Sequence, residues 1–260
     1  MQIIYPSELF QPKRPDEAFA QEYYCAREKG LHCLLLSSDA AAMGDYRFSS
    51  PFLSDHVIWR GWMMSAPEYR QLHHAVTVRG AAMMTSPEDY LRCHHLPGWY
   101  NLCRDFTPET RVVHPDVDFD ALLAELQWPV CFVKDYVKSL TTSRGSVAHN
   151  ANEIREIVQL LKKFRGEIEG GICLRRFESF KPHSEKRYFV LNKQVYAADG
   201  DVSTSVREIA SRIDSSFFTI DMIENTLGEP RLVEIGDGQV SDLKGWPVTR
   251  FVEMLAKQME

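Results

Sequence analysis

The sequence lacks the features that would place it in several broad classes. None of its six cysteines forms a C-x-x-C pair, and they are scattered over 260 residues. In a chain of this size that argues for reduced, mostly buried thiols instead of a disulfide frame, and makes the cytoplasm the expected location. No apolar run approaches the roughly 20 residues a membrane span needs, so no membrane partner is expected. The start, Met1-Gln-Ile-Ile-Tyr-Pro, has neither a basic head nor a long apolar stretch, and no N-terminal signal is expected. Positive charge is not in excess. A formal net charge of −6 argues against constitutive nucleic-acid binding, a local basic patch aside. Also absent are G-x-x-x-x-G-K-[ST] and G-x-G-x-x-G, the marks of the commonest nucleotide folds, and the serine elbow of a hydrolase. No internal repeat or low-complexity tract is visible. What is present is ordinary for a soluble globular protein, 44% hydrophobic and 25% charged, with room for one large or two or three small domains.

Strand and helix signals alternate through the first hundred residues. Strands are expected at 3–6, 31–36, 56–60 and 81–85, with helices at 15–29, 66–78 and from Pro87 to about His95. That alternation predicts a small, mainly parallel α/β unit. Leu96-Pro-Gly-Trp-Tyr-Asn and Thr107-Pro-Glu-Thr mark a change of character. Beyond them come strand 111–114, helix 119–126, strand 129–135, a polar loop 138–150, helix 152–164 and strand 172–177. Strands 186–191 and 194–198 flank a turn at Asn192-Lys193, followed by helix 205–213, a hairpin, and helix 247–257.

The hairpin carries the strongest chemical signal. Ser216-Phe-Phe-Thr-Ile-Asp-Met-Ile-Glu224 and Arg231-Leu-Val-Glu-Ile-Gly-Asp-Gly238 flank a Gly/Pro/Asn segment. With a loop at 225–230, Met222 faces Val233 and Asp221 faces Glu234. One side then carries Phe218, Ile220, Met222, Val233 and Ile235. The other opposes two carboxylates, which destabilises a sheet unless something compensates. A divalent cation on hard oxygen ligands would do so; a protonated couple, or one bridged by Arg231 or Lys244, is the alternative. Lys134, closing an apolar strand, suits phosphate binding as a point charge, against the plainer reading of a solvated lysine. Ser143-Arg-Gly-Ser146 adds hydroxyls, a guanidinium and free amides in a mobile loop. The pairs His73-His74 and His94-His95 are adjacent, and so do not converge on a metal. Arg60, in Trp59-Arg60-Gly61-Trp62, either pairs internally or reaches a substrate.

Taken in order, these features resemble the ATP-grasp fold, as in D-alanine–D-alanine ligases and glutathione synthetase relatives. Lys134 in Pro129-Val-Cys-Phe-Val-Lys is similar to the family's strand-end lysine at the α/β phosphates. Glu178 in Arg175-Arg-Phe-Glu matches the acidic residue closing the hinge strand, with Phe177 beside the adenine-contacting backbone. Glu185, seven residues on, stands where a carboxylate reaches the ribose. Arg187 in Glu185-Lys-Arg-Tyr-Phe-Val looks like the arginine that contacts the transferring phosphate. Asp221 and Glu234, thirteen residues apart, match the magnesium pair. The resemblance covers roughly residues 111–244. It departs where the family has Glu-x-Asn, because position 236 is glycine, so Asp237 or Gln239 must substitute or a second magnesium is held less tightly. The other phosphate lysine of the family has no clear match, and only Arg92 and Arg104 stand near its place.

The resemblance implies an α/β protein with α+β lobes: an N-terminal pre-ATP-grasp-like domain at 1–105, a first ATP-grasp lobe at 106–180 and a second at 181–260. It implies ATP and Mg²⁺ as cofactors. The implied reaction activates a carboxylate as an acyl phosphate and joins it to an amine or related nucleophile. Arg187 and Lys134 would be catalytic, Asp221, Glu234 and Asp237 would hold metal, and Arg60, Arg144 and Arg175 would meet a substrate carboxylate. The expected partners are small-molecule or peptide carboxylates and amines, with a homodimer allowed. A nucleotide-binding protein without ligase turnover and an ATP-grasp phosphotransferase remain the competing readings.

Overall fold

The computed structural model describes residues 1–53, 56–137, 139, 142–166 and 168–257. In chain order its elements begin with β1 (Gln2–Glu8), β2 (Gln11–Pro15), α1 (Glu17–Glu28), β3 (His32–Leu36), α2 (Ser38–Ala42), β4 (His56–Trp59) and α3 (Ala66–Thr77). There follow β5 (Ala82–Met83), α4 (Pro87–His94), α5 (Leu96–Cys103), β6 (Thr110–Val113), α6 (Phe119–Leu126), β7 (Cys131–Asp135), β8 (Val147–Ala148) and α7 (Ala151–Arg165). The chain closes with β9 (Ile172–Arg176), β10 (Lys186–Leu191), β11 (Gln194–Ala197), α8 (Thr204–Arg212), β12 (Phe217–Glu224), β13 (Pro230–Asp237) and α9 (Val248–Ala256).

Two compact units divide the chain, and neither is contiguous. The first comprises Met1–Leu91, Lys186–Ile220 and Gly236–Glu260, the second Arg92–Glu185 and Asp221–Ile235. The division passes through β12 and β13 themselves.

In the first unit, β1 pairs in parallel with β3 and β4, and β4 with β5, as the alternating pattern predicts. Such strands are buried on both faces and read as continuous apolar runs. Ile4, Val57 and Trp59 pack with Tyr69, Leu72 and Val76 of α3. Ile3, Tyr5 and Ile58 pack with Tyr23 and Ala26 of α1 and with Phe251, Val252 and Leu255 of α9. A Ser65–Glu68 capping box starts α3, satisfying two otherwise open backbone donors. The turn joining β10 to β11 holds Asn192 and Lys193 at φ 48° and 66°, the left-handed pair whose twist suits a two-residue hairpin.

The second unit is built on a four-stranded sheet in the order β6-β9-β7-β8, with antiparallel pairs throughout. One face packs on the amphipathic helices α6 and α7: Val133, Ile172 and Leu174 meet Leu122, Ile154, Ile157 and Leu161. Asp118 and Asn150 cap those helices.

Four elements carry no sequence signal of the kinds used above. β2 is polar and exposed but for Pro15. α2 is a single capped turn, and β8 spans two residues. The helix α5 starts at the Leu-Pro-Gly run that reads as a break, because proline is tolerated in the first turn. Gly98 is required there: a Cβ would stand 2.5 Å from the Arg92 carbonyl oxygen. No helix among the described residues is long and apolar enough to cross a membrane.

Candidate functional site

Strand pleating decides which side chains of the second unit face the helices and which do not. In the β7/β9 register Lys134 pairs with Cys173 and Phe132 with Arg175, while Val133 pairs with Leu174. Val133 and Leu174 enter the helix-backed core. Alternation therefore puts Phe132, Lys134, Cys173 and Arg175 together on the opposite face. Lys134 is 6% exposed, and its Nζ donates to Glu234 Oε1 of β13 at 3.2 Å. Arg175 donates from Nη1 to the Val233 carbonyl and from Nη2 to Thr107 Oγ1. Its Nε is buried without a partner. Burial draws the Arg175 guanidinium below its ordinary pKa, opposed by the nearby Glu234 charge. Burial also pushes the Cys173 thiol up to about 12, against the pull of Lys134 and Arg175. The thiol is neutral and inert beside two cations.

The carboxylate hairpin forms, but its tip is tighter than the expected 225–230 loop: Asn225 pairs with Glu229 across a loop of 226–228, which moves the register at the tip by one residue. Asn225 N–H bonds to the Glu229 carbonyl, and Gly228 N–H to that of Asn225. Burial does not alternate along β12, where every residue from Phe217 to Met222 is enclosed. A strand covered on both faces behaves so. On β13 the fully buried residues of the second unit are Leu232 and Ile235, not Val233 and Ile235. Asp221 is 3% exposed, whereas the Glu234 side chain keeps 37% exposure. Arg231 does not bridge the two carboxylates. It sits three residues from Glu234, nearly 10 Å along a strand, and grips Glu178 instead through two bonds of 2.8 and 2.7 Å.

The remaining sequence candidates lie as follows. Phe177 is 40% exposed and Glu185 is exposed. Arg144 pairs on the surface with Glu153 and Glu156 of α7, while residues 138, 140 and 141 of the polar loop lie outside the described residues. In the first unit Arg187 bonds the Asp242 side chain at 2.7 Å and its carbonyl at 2.8 Å. Arg60 is 1% exposed. It holds Glu22 by two bonds of 2.8 Å and donates to the carbonyls of Gly238, Gln239 and Ser241. That is the internal pairing, not a guanidinium open to substrate.

Packing around the end of β13 accounts for the missing asparagine. A Cβ on Gly236 would lie 2.7 Å from Thr219 Oγ1 and 3.0 Å from Ser241 Oγ, so no side chain fits. Neither proposed substitute is open. Gln239 is fully buried, with Nε2 on Tyr69 and Asp237 and Oε1 accepting from Trp59 N–H. Asp237 is also fully buried; its Oδ1 accepts from Gln239 and its Oδ2 has no partner. Burial pushes its pKa up to about 7, against the Gln239 hydrogen bonds and Arg60. Among the described residues, no group of three or more His, Cys, Asp and Glu forms a metal cluster. His95 pairs with Glu169 at 3.0 Å.

A cleft of about 740 Å³ in the second unit escaped the sequence analysis. Tyr100, Arg104, Arg176, Phe177, Glu178 and Arg231 are among its lining residues. The α5 residue Tyr100 has no place there as long as that helix is taken for a break.

Comparisons with known proteins bear on the family and the fold. The profile of an ATP-grasp domain, family 3 of its clade, matches residues 98–255. Among solved structures the chain is similar to D-cycloserine synthetase DcsG, at 12% identity and TM-score 0.62 over 99% of this chain and 100% of that one. It is similar to the macrocyclase MdnC bound with precursor peptide MdnA from Microcystis aeruginosa MRC, at 11% identity and TM-score 0.64 over 99% of both chains. A RimK domain protein ATP-grasp from Sphaerobacter thermophilus DSM 20745 gives 13% identity and TM-score 0.58 over 98% of both chains. No curated protein matches the sequence.

Proposed function

Because the chain belongs to that ATP-grasp family, we propose that it is an ATP- and Mg²⁺-dependent ligase that activates a carboxylate as an acyl phosphate and joins it to an amine. The observation that carries this reading is the meeting of Lys134 and Glu234 at 3.2 Å on the sheet face turned away from the helices. A ligand phosphate reaching that face would exchange for Glu234 at the lysine, releasing the carboxylate to take a cation. Mg²⁺ is commonly held by one or two carboxylates with phosphate oxygens completing the shell. Asp221 and Glu234 fit that donor set without a third carboxylate. A metal held there by Asp221 and Glu234 would neutralise charge building on transferring and leaving phosphate oxygens. Lys134 does the same work as a fixed, nearly buried ammonium, whose effect is larger away from water.

Within this reading 1–105 is the pre-ATP-grasp-like domain, 106–180 the first lobe and 181–260 the second. Phe177, Glu178 and Glu185 are proposed for the base and ribose, and Arg187 for the phosphoryl group. Arg175 is the basic candidate nearest Glu234, and Arg144 and Arg60 have weaker claims because their guanidinium groups are already paired. The acceptor class is a small-molecule or peptide amine; among similar structures, the ligase PsnB is complexed with a minimal precursor and MdnC is bound with a precursor peptide. Six free thiols are compatible with the cytoplasm.

The test is ADP release with ATP, Mg²⁺ and a screen of amino acids and peptides. Acceptor-stimulated release that Glu234→Ala abolishes supports the ligase. Glu234→Ala with full turnover would sink the metal assignment. A second reading, nucleotide binding without turnover, draws on Gly236 and the enclosed Asp237. Tight ATP binding with no release under any acceptor would favour it, and a phosphorylated product without an amine would favour a phosphotransferase.

A further inference from the structure

The sheet that contains the carboxylate hairpin has β11 at one end of the order β11-β10-β12-β13. Among the described residues it pairs with β10 alone, in the register Leu191↔Gln194, Val190↔Val195, Phe189↔Tyr196. A two-residue turn makes its flanking residues exchange both backbone hydrogen bonds, so Leu191 and Gln194 are the bonded pair. One residue on, Val195 turns its N–H and C=O away from β10, along the free edge. β11 contains no proline, and no strand among the described residues covers its edge, although natural sheets usually protect such positions.

The free edge forms one wall of a cleft of about 700 Å³. Gln194, Val195 and Tyr196 line it from β11, and Arg207, Ala210 and Ser211 from α8. The cleft floor is apolar where Ala210 and Ile213 are buried, and its rim is cationic. Lys193, Arg207 and Arg212 stand against one aspartate, Asp214. Arg212 is held by Glu208 at 2.6 Å. No ion pair engages Lys193 or Arg207 among the described residues. Their prominence contrasts with a chain whose net charge is −6.

From the open edge, the apolar floor and the basic rim we infer that this cleft docks an acidic peptide segment in extended form, added to the sheet as a strand beside β11. Backbone hydrogen bonds at Val195 would supply register-specific affinity. Alternate side chains would enter the floor, and the others would meet Lys193 and Arg207. The surface lies wholly within the first unit and needs neither nucleotide nor turnover.

The probe is a fluorescein-labelled peptide of alternating Glu and Val, titrated by fluorescence anisotropy without ATP. The expected result is saturable binding that weakens as salt rises, because the rim charges are screened. Arg207→Glu should weaken it at least about tenfold through charge reversal. Val195→Pro, which removes only an outward N–H on an edge strand, should do the same while the far-ultraviolet spectrum and melting temperature stay near wild type. A probe N-methylated at alternate amides should fail to bind. Absence of binding at millimolar probe would overturn the inference. So would equal affinity for an alternating Lys and Val peptide. Loss with Arg207→Glu but not with Val195→Pro or N-methylation would leave charge attraction alone and would overturn the strand-addition geometry. If Val195→Pro does not fold, the N-methylated probe decides the question on the wild-type protein.

Discussion

Lys134 and Glu234 are a hundred residues apart in the chain, yet Nζ and Oε1 stand 3.2 Å apart. The lysine is almost enclosed while the glutamate is more than a third exposed. The pair's worth to stability is therefore modest, about 1 kcal/mol after solvent screening. Its worth to turnover should be far larger. We expect Lys134→Ala and Glu234→Ala each to lower ADP formation by about 100-fold or more, with unfolding midpoints shifted little. Activity within threefold of wild type in either variant would remove the pair from the proposed chemistry.

Gly236 should tolerate no side chain. Gly236→Ala puts a methyl group 2.7 Å from Thr219 Oγ1, an overpacking that costs about 1–3 kcal/mol. Thr219→Ala in the same chain should recover most of that loss, since the crowding oxygen is gone. Urea unfolding of the two single variants and the double variant measures the coupling directly. Additive losses would show that the crowding lies elsewhere.

The enclosed Asp237 should make stability fall as pH rises. Burial puts its folded pKa at about 7, above an unfolded value near 4. Below about pH 4 both states hold the proton and the group contributes no difference. Between about 4 and 7 only the folded state holds it, so each unit of rising pH removes up to about 1.4 kcal/mol. Asp237→Asn should flatten this slope. Equal slopes for wild type and variant over pH 4–7 would place the titration on another group.

Arg60 closes a buried network instead of meeting ligand. Arg60→Ala removes the cation from buried Glu22, which keeps the Tyr5 O–H, and the shared donor from three carbonyl oxygens. Losing one partner of a buried pair costs about 3–5 kcal/mol. Denaturant unfolding should register a loss of that size; a loss under about 1 kcal/mol would mean that water replaces the guanidinium.

Much of the fold is legible in the sequence because its signals are local. The bounds of α6 follow to the residue from its apolar stripe between Asp118 and Gln127, and the turn at Asn192-Lys193 from its left-handed formers. Lys134 is legible as a strand-end ammonium. What stays hidden depends on distant partners. Nothing near residue 178 announces that Glu178 is held by Arg231, and nothing near residue 239 announces that Tyr69 and Trp59 enclose Gln239. The non-contiguous units are hidden for the same reason, since composition along the chain cannot show which segments return to share a core. Asp237 looks like a ligand because it is the carboxylate next to position 236, where the family has its asparagine. Burial, which spacing does not encode, encloses it.

The Arg231–Glu178 grip does not stand alone. Phe180 bridges to Asn225 through two backbone bonds, Lys181 N–H to the Glu224 carbonyl and Thr226 N–H to that of Ser179. Lys181 Nζ adds a contact to the Glu224 carboxylate at 3.0 Å. The strand exit at 177–181 and the carboxylate hairpin are thus stitched by four contacts, two through the backbone and two through side chains. A splice that lengthened the hairpin loop by one residue would break the stitching on one side only, and leave Glu178 gripping the wrong rung. Loop length here acts as a gauge, like the tooth spacing of a gear: it sets which rung of the hairpin meets the strand exit.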